Sequence, residues 1–409
     1  MFWVVLSLSG SLPFFLTAEP RLSITDAVFE SVSGLTTTGA TVITGLDSLP
    51  RSVLFYRQEL QWLGGMGIVV LAVAILPMLG IGGMQLYRAE IPGPMKTNKL
   101  TPRIAETAKA LWLIYLGLTI ACATAYWAAG MTPFDAIGHS FSTIAIGGFS
   151  THDAGISYFN SPLIEMVAAF FMLFAGINFS LHFLAWRHLT MHHYWKDEEF
   201  RAYLRVLMGV AALTSSYFWI THYLSDPLSA LQHGIFYAIS FGTTTGFTSG
   251  DYHALPGFLP ILLLMITYIG ACGNSTGGGM KVIRVLLLYK QGAREIKRLI
   301  YPSAIIPIKI GNKSLSVQVA EGVSGFMAVY MVCFIIIYLL LLATGLDMIT
   351  SFSAVTACLN NLGTGLGQVS ASYEDINTIS KWILCFAMLL GRLEIFPLLV
   401  LMSPAFWYQ

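Results

Sequence analysis

Four short stretches rich in threonine and glycine are the places where backbone chemistry stands out: Thr36-Thr37-Thr38-Gly39, Ile146-Gly147-Gly148, Thr243-Thr244-Thr245-Gly246 and Gly363-Thr364-Gly365. Glycine reaches backbone dihedrals closed to other residues, so such a run can turn a row of carbonyl oxygens toward one axis, where they replace the water around a dehydrated cation. Taking Gly39, Gly148, Gly246 and Gly365 as equivalent gives intervals of 109, 98 and 119 residues. A period that long is no solenoid unit; it suits a small domain repeated four times and closed into a ring.

A ring of carbonyls needs rigid elements to aim it. Hydrophobic residues make up 56% of the 409-residue chain, charged residues 11%, and the mean hydropathy is +0.70, which marks an integral membrane protein. A hydrocarbon core of roughly 30 Å asks for about 20 apolar residues per helical crossing, and the alternation of a membrane β-barrel is absent. The chain therefore reads as an all-α polytopic membrane protein. Four repeats of span, re-entrant pore half-helix, filter loop and span are expected around a pseudo-fourfold central pore, at residues 1–83, 84–190, 191–313 and 314–409. The spans are expected at 2–16 and 53–79, 108–129 and 163–188, 203–224 and 258–289, and 317–344 and 379–401. The first is short, as if its helix began earlier.

The half-helices are expected at 24–35, 133–143, 227–241 and 347–359, too short to cross a bilayer. They open on capping chemistry: Thr25-Asp26, Thr132-Pro133, Asp226-Pro227 and Asp347. Their C-terminal ends run into the Thr/Gly stretches, so four partial negative charges aim at one point, which favours a cation.

Stretches 84–109, 187–205 and 281–313, which join one repeat to the next, hold 5, 4 and 8 of the 22 Lys and Arg. The positive-inside rule makes them cytoplasmic and turns the filter loops outward. Asp47, Asp153, Asp251 and Glu374, beside Asp375, follow the filters and would line an outer vestibule that concentrates cations. A net charge of +1 gives no argument for nucleic acid. The five cysteines lie unpaired in apolar stretches and read as small buried hydrophobes.

The second span of repeat three is interrupted by Gly273-Asn274-Ser275-Thr276-Gly277-Gly278-Gly279. Irregular backbone at membrane depth is tolerated only inside protein or along a water-filled cavity, so this loop is expected beneath the filter as an obstruction; the alternative is a static kink. A phosphate cradle is excluded, because no Lys-Ser or Lys-Thr follows and no strand precedes. Arg392 is the basic residue well inside a span, a costly placement that points to the ion path. No His-Glu-x-x-His motif is present, and no enzyme chemistry is expected.

These stretches, together with Lys99-Leu100-Thr101-Pro102-Arg103-Ile104-Ala105-Glu106-Thr107-Ala108, the glycine loop and Gly391-Arg392-Leu393-Glu394, resemble the Trk/Ktr/HKT superfamily of potassium transporters over the whole chain. The resemblance implies a gated potassium path within each subunit of a homodimer, in a bacterial cytoplasmic (inner) membrane. It also implies two further helices before the first repeat. It places filter residues at Thr37, Thr38, Gly39, Ile146, Gly147, Gly148, Thr244, Thr245, Gly246, Gly363, Thr364 and Gly365, with potassium the metal ion there. Serine at the first filter glycine is common in relatives that pass sodium, so Gly39 points to potassium. Arg392 is implied to face the pore near the loop, where hydrogen bonds to Asn274, Ser275 or Thr276 would hold it shut. The basic segment is implied to dock a cytosolic nucleotide-binding ring of the TrkA kind. No cofactor is expected in this chain, and membrane lipid surrounds it. A proton- or sodium-coupled symporter is the alternative.

Overall fold

The computed structural model of the chain describes residues 2–70 and 104–403, apart from residues 18, 305, 312 and 316. The end of the span expected at 53–79, the boundary at 83, the basic residues between 84 and 103 and the start of the Lys99 motif lie outside the described residues.

Four half-helices dominate the architecture: Ile24–Leu35, Pro133–Ala145, Pro227–Gly242 and Met348–Leu359. Thr132, Asp226 and Asp347 cap the second, third and fourth, each accepting a hydrogen bond from a backbone N–H of the first turn. The first is capped by Ser23, not by Thr25 or Asp26: its hydroxyl accepts from Asp26 N and donates to the Asp26 carboxylate.

The spans flanking them differ in kind. Apolar helices long enough to cross a membrane supply the first spans of repeats two, three and four, at Ala108–Ala128, Glu198–Ile220 and Gln318–Ala343. The second spans of the same repeats are broken. In repeat two, Pro162–Ala175 and Phe179–His188 meet at 90°. In repeat three, Leu259–Ile266 gives way to irregular backbone until Val282–Ile300. In repeat four, Thr378–Arg392 ends before Phe396–Met402, with Glu394 and Ile395 at φ +56° and +62°. The continuous spans expected at 163–188 and 379–401 are thus corrected. Gly176 lies in the first of these breaks, and Gly391 and Pro397 bracket the second; backbone groups freed at the first find partners in the interrupted segment of repeat three, and those at the second within repeat four. The repeat-one counterpart, Arg51–Val70, is unbroken over its described length.

Apolar packing joins neighbouring repeats. One core unites repeats one and four around Phe29, Tyr330 and Tyr373; a second unites two and three around Tyr115, Phe179 and Tyr203; a third unites three and four around Phe241, Leu263 and Leu362. The strand content among the described residues is one short antiparallel pair, Lys309–Ile310 with Lys313–Ser314, in the basic connection.

Candidate functional site: a four-part ring and the loop beneath it

Each half-helix ends in the same backbone motif. A residue at or just after the C-cap takes a left-handed conformation: Thr37 (φ +52°), Ile146 (+56°), Thr244 (+70°) and Asn361 (+55°). Its N–H donates three residues back, to Gly34, Thr143, Phe241 and Cys358; the next N–H donates five residues back, to Ser33, Ser142, Ser240 and Ala357. This is a Schellman-type helix end, usually built on glycine. Here a side chain occupies the left-handed position in all four repeats, at a cost of about 1–2 kcal/mol each.

Two residues past each left-handed residue stands a glycine with φ between +78° and +85°: Gly39, Gly148, Gly246 and Gly363. The four close a ring. A Cβ on Gly39 would lie 2.2 Å from the Gly147 carbonyl oxygen, on Gly148 2.1 Å from that of Thr245, on Gly246 2.2 Å from that of Leu362, and on Gly363 2.4 Å from that of Thr38. Each repeat thus presses the carbonyl before its glycine onto the glycine of its neighbour, and only glycine admits that contact.

The fourth copy is therefore Asn361-Leu362-Gly363, and the register read as Gly363-Thr364-Gly365 is shifted by two residues. Gly365 lies outside the ring, against Val369 and Ser353. Thr364 touches the ring from the side, donating from Oγ1 to the Gly246 carbonyl at 2.8 Å. Counting from the half-helix end, where Leu359 matches Leu35, would have found the right frame; the glycine spelling misled.

Among the described residues, the carbonyl oxygens of Thr37, Ile146, Thr244 and Asn361 accept no hydrogen bond, and all four residues are at most 1% exposed. Buried carbonyls are nearly always partnered, so four equivalent unpartnered oxygens, one from each repeat, are groups whose chemistry suits ligating a cation. The layers above and below are partly satisfied: Gly147 O accepts from Gln61 Nε2 (2.6 Å), Gly363 O from Tyr373 OH (2.8 Å) and Asn360 O from Gly279 N (3.1 Å).

Behind the ring lie groups that sequence reading missed. Glu30, fully buried on the first half-helix, accepts from Arg57 Nε (2.7 Å), Thr41 Oγ1 and Val42 N (both 3.0 Å). Arg57 donates onward to Ser150 O of repeat two (3.2 Å) and lies 4.4 Å from the Phe149 ring centroid. Gln58 and Gln61, one helical turn apart, brace copy two through Ser142 and Phe149. A glutamate within a half-helix and an arginine and two glutamines at 57, 58 and 61 were legible as polar residues in apolar surroundings.

The interrupted segment 267–281 packs against the ring and the half-helix ends. Gly278 N donates to Thr244 Oγ1 (2.7 Å) in the third copy of the ring, and Gly279 N to Asn360 O (3.1 Å), the residue before the fourth copy. Thr276 Oγ1 donates to Ile144 O at the end of the second half-helix (2.9 Å). The break in repeat two is filled by the same loop: Cys272 N donates to Gly176 O (3.0 Å), and Phe179 N to Asn274 O (3.1 Å). Gly273 N donates to buried Glu199 (2.6 Å), and Lys281 Nζ to Gly277 O.

Arg392 is 3% exposed and has no carboxylate partner among the described residues. Its Nη1 donates to Thr276 O in the loop (2.8 Å) and its Nη2 to Gly64 O of the repeat-one span (3.2 Å), while Nε has no partner. Glu394 instead pairs with Arg284, just past the loop, across the break in repeat four. Of the loop residues, Thr276 is the one that Arg392 contacts; Asn274 and Ser275 bond elsewhere.

Asp47, Asp153, Asp251 and Glu374 are all exposed. Asp47 pairs with His152 of repeat two, Asp251 caps a short turn through His253 N, and Glu374 accepts from Thr44 Oγ1 of repeat one (2.8 Å).

Comparison with known proteins bears on the family and the fold. The profile of the TrkH family, described as a cation transport protein, matches residues 1–408. The chain is 57% identical over 407 residues to "Trk system potassium uptake protein TrkH" of Halomonas elongata, covering all of this chain and 84% of that protein. It is 55% identical over 409 residues to the protein of that name in Escherichia coli, again covering all of this chain and 85% of the relative. The crystal structure of the potassium transporter TrkH from Vibrio parahaemolyticus superposes with a TM-score of 0.91 at 54% identity, over 99% of this chain and 84% of that one. With its four half-helices converging on a closed ring inside a polytopic helical membrane protein, the chain belongs to the TrkH family of cation transport proteins.

Proposed function

We propose that the protein is a gated, passive, potassium-selective subunit for potassium uptake, in which Thr37–Gly39, Ile146–Gly148, Thr244–Gly246 and Asn361–Gly363 form the filter and segment 273–279 with Arg392 forms the gate. One observation carries the reading: a closed fourfold ring holds one layer of buried carbonyl oxygens that lacks donors in every repeat. Four half-helix C-termini add negative potential there, and oxygen ligands without a fixed counter-charge suit a monovalent ion that must also leave. The names of the relatives, all potassium uptake proteins, support potassium as the ion. The loop blocks the inner side by placing one N–H on Thr244 Oγ1 of the filter and another on Asn360 O just before its fourth copy, and the Arg392 guanidinium adds a positive charge that repels cations.

The basic connections 187–205 and 281–313 are cytoplasmic in this reading, the filter faces outward, and exposed Asp47, Asp153, Asp251 and Glu374 ring its mouth. The subunit pairs into a homodimer in the bacterial inner membrane, and the amphipathic helix Val282–Ile300 carries Arg294, Lys297 and Arg298 toward a TrkA-like nucleotide-binding ring. The repeats divide at residues 83, 190 and 313. A coupled symporter would need a deep group free to change charge; Glu30 is tied to Arg57, which favours passive flow.

The test is cation flux through the purified protein in liposomes, comparing potassium, rubidium, sodium and lithium with the proton gradient set independently. Potassium- and rubidium-preferring flux indifferent to pH is expected. A reversal potential that follows the proton gradient would overturn the passive mechanism.

A further inference from the structure

Asn360, the residue just before the left-handed turn of the fourth filter copy, is fully buried and ties together three elements. Its Oδ1 accepts from Tyr330 OH of the first span of repeat four (2.6 Å). Its Nδ2 donates to Thr267 Oγ1 (3.0 Å), where the helix Leu259–Ile266 ends and the gate loop begins. Its carbonyl accepts from Gly279 N (3.1 Å), near the end of that loop. Tyr268 reinforces the junction: its hydroxyl meets Thr356 Oγ1 on the fourth half-helix (2.9 Å) while its carbonyl accepts from Met280 N (3.1 Å). The matching residues elsewhere make no such link. Thr36 and Thr243 turn their hydroxyls back to Val32 O and Ile239 O of their own half-helices, and Ala145 has none.

We infer that Asn360 is a positioning residue that couples seating of the gate loop to ion selection. Both ends of the loop hang on the residue that leads into one quarter of the ring. Moving the loop aside withdraws Thr267 and Gly279 from the fourth copy together, and the filter is then held less firmly than when the loop is seated. Arg392, by contrast, grips the loop through Thr276 and the repeat-one span through Gly64, without touching a filter residue. Two ways of loosening the loop therefore have different consequences for selectivity. This inference rests on the filter-and-gate reading above.

The experiment compares potassium and sodium flux through the whole reconstituted chain for wild type, Arg392→Ala, Asn360→Leu and the near-isosteric Thr267→Val. Thr267→Val loses the bond from Asn360 together with the Thr267 hydroxyl's own bond to Leu264 O within its helix, and loss of the Asn360 link should raise flux on the order of tenfold. Its potassium-to-sodium ratio, and that of Asn360→Leu, should fall several-fold below the ratio of Arg392→Ala. If Asn360→Leu does not fold, Thr267→Val carries the comparison, with Tyr330→Phe expected to move the ratio the same way. Equal ratios in Arg392→Ala and Thr267→Val, with both leaking, would overturn the coupling and leave the gate standing. Absence of leak in Arg392→Ala would overturn the gate and the coupling with it.

Discussion

The register of the fourth filter copy makes the sharpest prediction, because two glycines two residues apart should respond in opposite ways. In Gly363→Ala the new methyl would stand 2.4 Å from Thr38 O and 2.6 Å from Gly39 C, at φ +85°. Ordinary contact begins at 3.4 Å, so copies one and four must part by about 1 Å at that point. The left-handed conformation adds about 1–2 kcal/mol for any residue with a Cβ. Relieved by shifting carbonyl oxygens, strain of that size corresponds to roughly tenfold in the preference between two ions, at about 1.4 kcal/mol per decade. In Gly365→Ala the methyl meets Val369 Cγ2 at 2.6 Å, a side-chain tip, with Val369 O at 3.2 Å and Ser353 Oγ at 3.4 Å. A turn of Val369 absorbs most of that. Potassium and sodium flux of both variants in liposomes, with thermal stability as control, decides the matter. Gly363→Ala should lose most of its discrimination and Gly365→Ala should keep it. The reverse pattern would show the ring assignment to be wrong by two residues.

Arg392→Ala removes two hydrogen bonds from a charged donor, each worth about 1.5–3 kcal/mol, so closed-state leak should rise by about a hundredfold at the low end of that range and more toward its high end; an unchanged leak in folded protein would clear Arg392 of the gate. Glu30→Gln strands a buried guanidinium and should cost about 3–5 kcal/mol, seen as a large fall in melting temperature, whereas the double change Glu30→Leu with Arg57→Met should recover much of it. Asp347→Ala removes an N-cap at about 1 kcal/mol. Hydrogen bonds from Thr350 hold the Asp347 carboxyl below its usual value of 3.8, so the cap contributes fully above about pH 4 and is lost as acid carries the pH through the lowered native value; the stability gap between the two proteins should close there.

What the sequence by itself determined is everything local or periodic. Membrane class follows from composition, and the half-helices at 24, 133, 227 and 348 follow from apolar segments too short to cross, three of them opened by a cap that can be read residue by residue. The site at 273–279 was equally legible, because seven small and glycine residues cannot continue a helix. Tertiary structure decided what depends on partners distant in the chain. Asn361 takes the place of Thr37 because the αL turn is held by the half-helix end and by neighbouring copies, not by side-chain spelling. The helix break at 176–178 is held by backbone bonds to Cys272 and Asn274 of the loop, and that at 393–395 by hydrogen bonds within repeat four and by the Arg284–Glu394 pair. Glu30 is tolerated in a buried helix only because Arg57, 27 residues away, reaches it. Spacing along a chain sets which faces residues share, whereas the partners that make a buried charge or an open carbonyl affordable are chosen only when four repeats close on one axis.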